Sequence, residues 1–299
     1  MDTIKNISII FTSIFFESLP FLFLGSLISA LIENYVSNEH LAQIIPKNKV
    51  LGSIVGVFLG FFLPACDCAV IPVSKRLLKK KVPINVAISF MLASPIINPI
   101  VLLSTYYAFY KTNPEIFWYR LILGITIALI IGIIMGIVFS NREVIKAEDE
   151  KCTCNHTHNN CKKSLKNDIL SIAKHTAYDM FDVVKYLMFG ALIASLIQVL
   201  LPRSILTTFN NNEILSIITL MLFAYLISLC STSDSFIGSS LLKTFTKTSI
   251  IAYLLLGPMI DIKNTVVLLG NYKKSFVFTL ISLIFTIIFI FSLMVVYLL

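Results

Sequence analysis

Charge is what this chain has least of: 13% of its 299 residues are Asp, Glu, Lys or Arg, against about 25% in an ordinary soluble domain. With 57% hydrophobic residues, that scarcity excludes a soluble enzyme. No Gly-x4-Gly-Lys-Ser/Thr sequence occurs, so a self-contained ATP-driven machine is excluded too. Six cysteines spread through so apolar a chain do not make the framework of a small secreted domain. The first apolar stretch, Ile7 to Ile32, carries an embedded Glu17 and lacks a basic region followed by a small-residue cleavage site. It is expected to stay as the first helix, not to be removed as a signal peptide.

What the chain has is long apolar runs. Residues 121–139 and 281–299 contain no formal charge, and about 18 or more such residues suffice to cross a hydrocarbon core about 30 Å thick. Apolar runs predict helices near 7–33, 50–73, 83–109, 117–139, 176–200, 214–238, 249–270 and 273–299. The expected fold is therefore an all-α integral membrane protein with about eight transmembrane helices. The formal charge of +8 lies in the short segments between apolar runs, which fits membrane orientation better than nucleic acid. Lys75, Arg76, Lys79, Lys80 and Lys81 are expected to be cytoplasmic, which with eight spans places both termini and the 140–175 segment on that side. Lys185 and Lys263 are the basic residues expected inside spans.

The halves look alike. Glu17, Gly25 and Leu27 match Asp182, Gly190 and Leu192, while Pro95 and Asn98 match Pro258 and Asp261 after a small shift in offset. The expected organisation is a first transmembrane repeat at 1–139, a Cys/His-containing cytoplasmic linker at 140–175 and a second repeat at 176–299, with broken helices at the repeat interface. Four spans per half make parallel repeats; a miscounted re-entrant segment would make them inverted. Either kind places a substrate site where the repeats meet, near mid-membrane.

Five motifs carry chemistry. In 63–72, Pro64 and Pro72 bracket Cys66, Asp67 and Cys68; residues i and i+2 leave a regular helix in different directions, so two thiols could share an ion only on unwound backbone. Buried cysteines often merely pack, but a carboxylate between them is expensive inside a membrane. In Ser94-Pro95-Ile96-Ile97-Asn98-Pro99, a kink is the plain alternative to a polar cavity lined by freed carbonyls and the Asn98 amide. In Cys230-Ser231-Thr232-Ser233-Asp234, small hydroxyl residues let helices approach closely, while Asp234 argues for more. In Gly257-Pro258-Met259-Ile260-Asp261-Ile262-Lys263-Asn264, Asp261 and Lys263 could neutralise one another or a third group. Finally Cys152, Cys154, His156, His158 and Cys161 put five metal-type ligands into ten residues, a set suited to zinc or copper(I), without standard zinc-finger spacing. Glu17 and Asp182 are candidates for proton coupling, with Lys185 as the alternative ion partner of Asp182.

At these motifs the chain resembles a predicted-permease family that includes the organoarsenical efflux permease ArsP and the YraQ-like permeases. Residues 66–72, 94–99, 230–234 and 257–264 match its motifs in order, with Ala69 where glycine is usual. The resemblance implies transport across the cytoplasmic membrane. It also implies thiol ligation of a soft ion by Cys66, Cys68 and Cys230, with Asp67, Asn98, Ser231, Ser233, Asp234, Asp261 and Lys263 lining the path. The expectation is a permease, not an enzyme, exporting a thiophilic metal, metalloid or organoarsenical by alternating access. It needs no cofactor, though zinc, copper(I) or trivalent arsenic could occupy the thiol sites. Its partners are membrane lipid and the small-molecule or metal-ion substrate, not nucleic acid, and a homo-oligomer is admitted. The alternatives are a membrane thiol-disulfide electron-transfer protein working by exchange between cysteines, and a metal-sensing membrane scaffold.

Overall fold

The computed structural model of the chain describes residues 2–35, 46, 48–63, 66–140, 144–146, 165–200 and 212–298. Twelve helical segments carry them: α1 (Asp2–Tyr35), α2 (Lys49–Phe62), α3 (Asp67–Lys79), α4 (Ile84–Ile97), α5 (Pro99–Phe109), α6 (Glu115–Val138), α7 (Leu165–Leu200), α8 (Glu213–Ile227), α9 (Ser231–Leu241), α10 (Lys247–Met259), α11 (Ile262–Asn271) and α12 (Lys274–Leu298). Among the described residues there are no strands, only an isolated antiparallel bridge between Ile145 and Tyr272. The protein is an all-α, multi-pass membrane protein.

The eight apolar runs of the sequence are all present, but they do not all cross. Six helices or helix pairs are long and apolar enough to span: α1, α4 with α5, α6, α7, α10 with α11, and α12. The other two runs are folded back. At 1.5 Å per residue, the 14 residues of α2 reach only about 21 Å, short of a core about 30 Å thick. Helix α2 runs in the same direction as α4: Asn85 donates to the Lys49 carbonyl at 2.7 Å, Gly56 lies on the Val86 carbonyl and Gly60 on the Ser94 backbone. Helix α3 then returns, since Lys79 and Ile84 are joined by a tight turn with Lys81 at φ 63°. Helices α2 and α3 are thus a re-entrant hairpin with both outer ends at the basic end of the molecule.

Helices α8 and α9 form the second hairpin. Ser249 donates to Ser216 at 3.0 Å and Gly257 faces Ala224, so α8 runs alongside α10. Helix α9 runs back, with Asp234 at the level of Tyr253 and Gly257 and Gly238 at that of Ile250 and Leu254. This hairpin starts from the opposite end, where Lys247 pairs with Glu115 at the start of α6.

The expected placement of both termini beside the 140–175 segment does not hold. Helices α1 and α7 are antiparallel: Ile14 packs with Ala191 and Ala194, while Ser29 donates to Asp179 at 2.9 Å. The close of α1 therefore lies at the basic end with Arg76, Asp179 and Tyr272, and its start lies opposite. Helix α12 leaves the basic end, where Phe276 meets Phe139, and also finishes opposite. Each hairpin turns back where a straight pass was expected; the first reverses α1, the second reverses α10 to α12, and α4 to α7 keep the expected direction.

Glycine sets the closeness of the helices around α4. A Cβ at Gly124, Gly132 or Gly136 of α6 would lie 2.6, 1.9 or 2.6 Å from Ile96, Ser89 or Asn85. Helices α2 and α6 thus clasp α4 from two sides at backbone distance.

Candidate functional site

Four half-helices begin near mid-depth, each on a non-helical residue that follows a break. Cys66 and Cys230 are the N-caps of α3 and α9, both in extended conformation and neither with a side-chain cap bond. Asn98 caps α5 by accepting from the Ile100 N–H at 3.0 Å. Asp261 caps α11 by accepting from the Asn264 N–H at 2.6 Å. Local chemistry accounts for the last two. Pro99 at the first position of α5 cannot donate back into α4, and Asn and Asp side chains replace the missing backbone partner at a helix start.

The α3 tip and the α10–α11 break meet, and they bring charges together. Lys263 Nζ lies 3.3 Å from Asp67 and 3.5 Å from Asp261, with all three side chains 5% exposed or less. Asn264 donates to Asp67 at 3.0 Å. The Cys68 thiol lies 3.8 Å from the Asn264 amide oxygen and 3.9 Å from Ser18 of α1. One lysine thus lies between two carboxylates, leaving one net negative charge that an ionic or protonic partner could balance. Among the described residues, the Asp261 oxygen that faces Lys263 at 3.5 Å has no hydrogen-bond partner. The hairpin α8–α9 approaches as well, with the Ser228 hydroxyl accepting from the Lys263 N–H at 3.4 Å. Ser228 itself takes a left-handed conformation, φ 51°, where the chain reverses.

The remaining expected residues are distributed elsewhere. Cys66 is buried and Cys230 half-buried, and both are free thiols, as is Cys68. Ser231 is buried and Ser233 half-buried on α9. Asp234 faces α10, accepting from the Tyr253 hydroxyl at 2.9 Å. Glu17 is exposed on α1, whereas Asp182 is held at the basic end by Lys185 and by Lys75 at 3.6 Å. The two are not gathered at one site, and the ion-pair alternative for Asp182 is the one observed. Cys152, Cys154, His156, His158 and Cys161 lie outside the described residues, as does Pro64. Pro72 does not unwind the chain; it sits inside α3, so the break falls only before Asp67. Among the described residues, no three His, Cys, Asp or Glu side chains are grouped to hold a metal ion.

Sequence reasoning missed Arg120. It was counted with the loops, yet it is completely buried in α6, donating to Thr105 at 2.6 Å and Ser235 at 2.7 Å. Its signal was there: it is the one charge between Glu115 and the end of that helix. Lys185, expected inside a span, is 53% exposed. A further cluster at the basic end joins α1, α3 and α7: Arg76 donates to both Asp179 oxygens, at 2.9 and 3.1 Å from one nitrogen, and Ser29 completes it.

The predicted-permease family ArsP_1 matches residues 3–297, and the chain belongs to that family. It is 38% identical over 286 residues to a Streptococcus mutans protein named as a two-component membrane permease complex subunit, covering 96% of this chain and 93% of that one. It is 40% identical over 286 residues to the UPF0718 protein YcgR of Bacillus subtilis, covering 96% and 95%. A more distant match is the UPF0718 protein MJ0584 of Methanocaldococcus jannaschii, 24% identical over 129 residues and covering 43% and 34%. No solved structure matches.

Proposed function

We propose that this member of the predicted-permease family is the membrane subunit of a permease that moves a thiophilic solute, a soft metal ion or a trivalent arsenical, out across the cytoplasmic membrane. The observation that carries the proposal is the meeting of the α3 tip with the α10–α11 break, where the Cys68 thiol, Asp67, Asp261, Lys263 and Asn264 share one buried site. Broken helices with polar groups at mid-depth are the usual construction of a transporter's substrate site.

Two inverted repeats, 1–139 and 176–299, fit the element order. Each half has a long helix, a re-entrant hairpin, a broken span and a closing helix, and the hairpins start from opposite ends. Rocking one half against the other would open the site to each side in turn. The basic end, with Lys49, Lys75, Arg76, Lys79, Lys80, Lys81, Lys146, Lys273 and Lys274, is assigned to the cytoplasm. Both described termini then face outward, where Lys5, Lys111, Lys243 and Lys247 leave a thinner positive charge. The name of the Streptococcus mutans relative suggests a second subunit, which a chain without its own nucleotide-binding motif could use as its energy source.

Cells expressing the chain or its Cys66→Ser/Cys68→Ser variant are to be compared for accumulation of trivalent arsenicals, zinc, copper and cadmium. Lower accumulation of one species with the wild type, reversed in the variant, is the expected result. Equal accumulation of all four in both would remove soft-metal export.

A further inference from the structure

Away from the α3–α11 crossing, two buried groups of opposite charge sit close together without being joined. Arg120 of α6 is 0% exposed and Asp234 of α9 is 3% exposed. The guanidinium gives its bonds to neutral groups: the Thr105 hydroxyl of α5, the Ser235 hydroxyl, and at 3.4 Å the Ser231 carbonyl. Among the described residues the carboxylate receives only the Tyr253 hydroxyl of α10, on Oδ1. What is left over is complementary: the Arg120 Nε donor and the Asp234 Oδ2 acceptor are both buried without a hydrogen-bond partner among the described residues. Leaving such an atom unpaired in the interior is costly, more so if it is charged, and arginine cannot shed its proton to avoid that cost.

We infer that Asp234 is a proton-binding site and that Arg120 is its electrostatic counterpart, two positions of one switch. With the proton on Asp234 the carboxyl is neutral, and Arg120 rests on the Thr105 and Ser235 hydroxyls, as in this structure. When the O–H bond breaks, the proton goes to water and the electron pair stays on the carboxylate. Oδ2 can then accept the Arg120 Nε–H, drawing α6 toward α9. Gly257 makes room for Oδ2 itself, since a Cβ there would lie 2.7 Å from it.

The groups that face Asp234 are Arg120 from α6, Tyr253 from α10 and Ser235 beside it on α9, with Thr105 of α5 behind the arginine. From α8 comes only Ala224, near Gly257. Use of the switch as the coupling step rests on the permease reading; the protonation itself does not.

The test is infrared difference spectroscopy between acidic and alkaline buffer on the full chain reconstituted in lipid, which reads the C=O stretch of a protonated carboxyl. The expected result is a band that is lost in Asp234→Asn, kept in Asp67→Asn, and moved in pH midpoint by Arg120→Gln. Should Asp234→Asn not assemble, Asp234→Glu keeps a carboxyl and is expected to move the band in frequency. An unchanged band in either Asp234 variant overturns the assignment. That outcome would leave the thiol-dependence of metal accumulation untouched, whereas loss of the latter with the band intact would overturn the permease reading alone.

Discussion

The two helix breaks use the same backbone device for different ends. At the first, Asn98 caps α5 and is followed by Pro99 and by Ile100, which is 58% exposed. At the second, Asp261 caps α11, and the residue in the place of Ile100 is Lys263, 4% exposed. What differs is cover. Helices α1 and α7 both lie on the side of α3 and α11: Gly25 against Ala69, Gly190 against Lys263. The α5–α9 crossing has no such cover, and Leu103, Tyr107 and Phe236 beside it are more than half exposed. Charge can be kept at mid-membrane only where protein surrounds it. The covered crossing holds two carboxylates and a lysine, while the open one keeps Arg120 and Asp234 on its buried side and shows apolar side chains to lipid.

Removing the central cation should have the largest effect. In Lys263→Ala, Asp67 and Asp261 face each other with no positive partner, and breaking a buried ion pair costs about 3–5 kcal/mol. Thermal unfolding in detergent is expected to show that loss, with part of it recovered when Asp67→Asn is added. Ile100→Ala, at the matching place, is expected to change little. Equal losses at the two positions would mean that the breaks do not differ in energy.

Sequence patterns reach this comparison only partway. Proline followed by Asn or Asp announces where α4 and α10 must stop, because the chemistry of a stop is local. Asp67, Asp261 and Lys263 could be grouped, because charge inside an apolar run is conspicuous wherever it occurs. The hairpins could not be read. An apolar run over 50–73 with a proline at 64 looks the same whether the chain goes on or turns back, and the basic residues that follow it suit either path. That ambiguity decided the expected side of the start of α1, and the same ambiguity at 214–238 decided that of the end of α12. Arg120 was missed for a related reason: the hydroxyls that bury it, Thr105 and Ser235, come from helices whose adjacency is tertiary.

The clasp around α4 offers a smaller effect that sharpens the contrast between the halves. Gly52, Gly56 and Gly60 line the face of α2 turned to α4, and the matching face of α8 has Ser216, Leu220 and Ala224, all buried. A methyl at Gly56 would lie 2.4 Å from the Val86 carbonyl oxygen, and backbone cannot move aside as a side chain can. Gly56→Ala is expected to cost about 1–3 kcal/mol by overpacking. Gly238→Ala should be neutral or stabilising, because its nearest neighbour is the Leu254 methyl at 3.2 Å and alanine is the better helix former by about 1 kcal/mol. Chemical denaturation of the two variants side by side checks the difference in sign.

The smallest effects are expected at the basic end, and there the contrast lies between two ion pairs on one helix. Arg76 grips both oxygens of Asp179, with side chains 15% and 22% exposed, and Ser29 of α1 shares that carboxylate. The pair thus ties α1 and α7, which cover the charged crossing, to α3, which carries Asp67. Lys185 meets Asp182 within a single turn of α7 and is 53% exposed. Arg76→Gln should cost about 1–2 kcal/mol, and Lys185→Gln no more than about 0.5 kcal/mol. If cover is what permits charge at mid-membrane, Arg76→Gln should also speed labelling of Cys68 by a membrane-permeant maleimide, while Lys185→Gln leaves that rate as it was. Equal labelling rates in the two variants would detach the charged crossing from the helices laid over it.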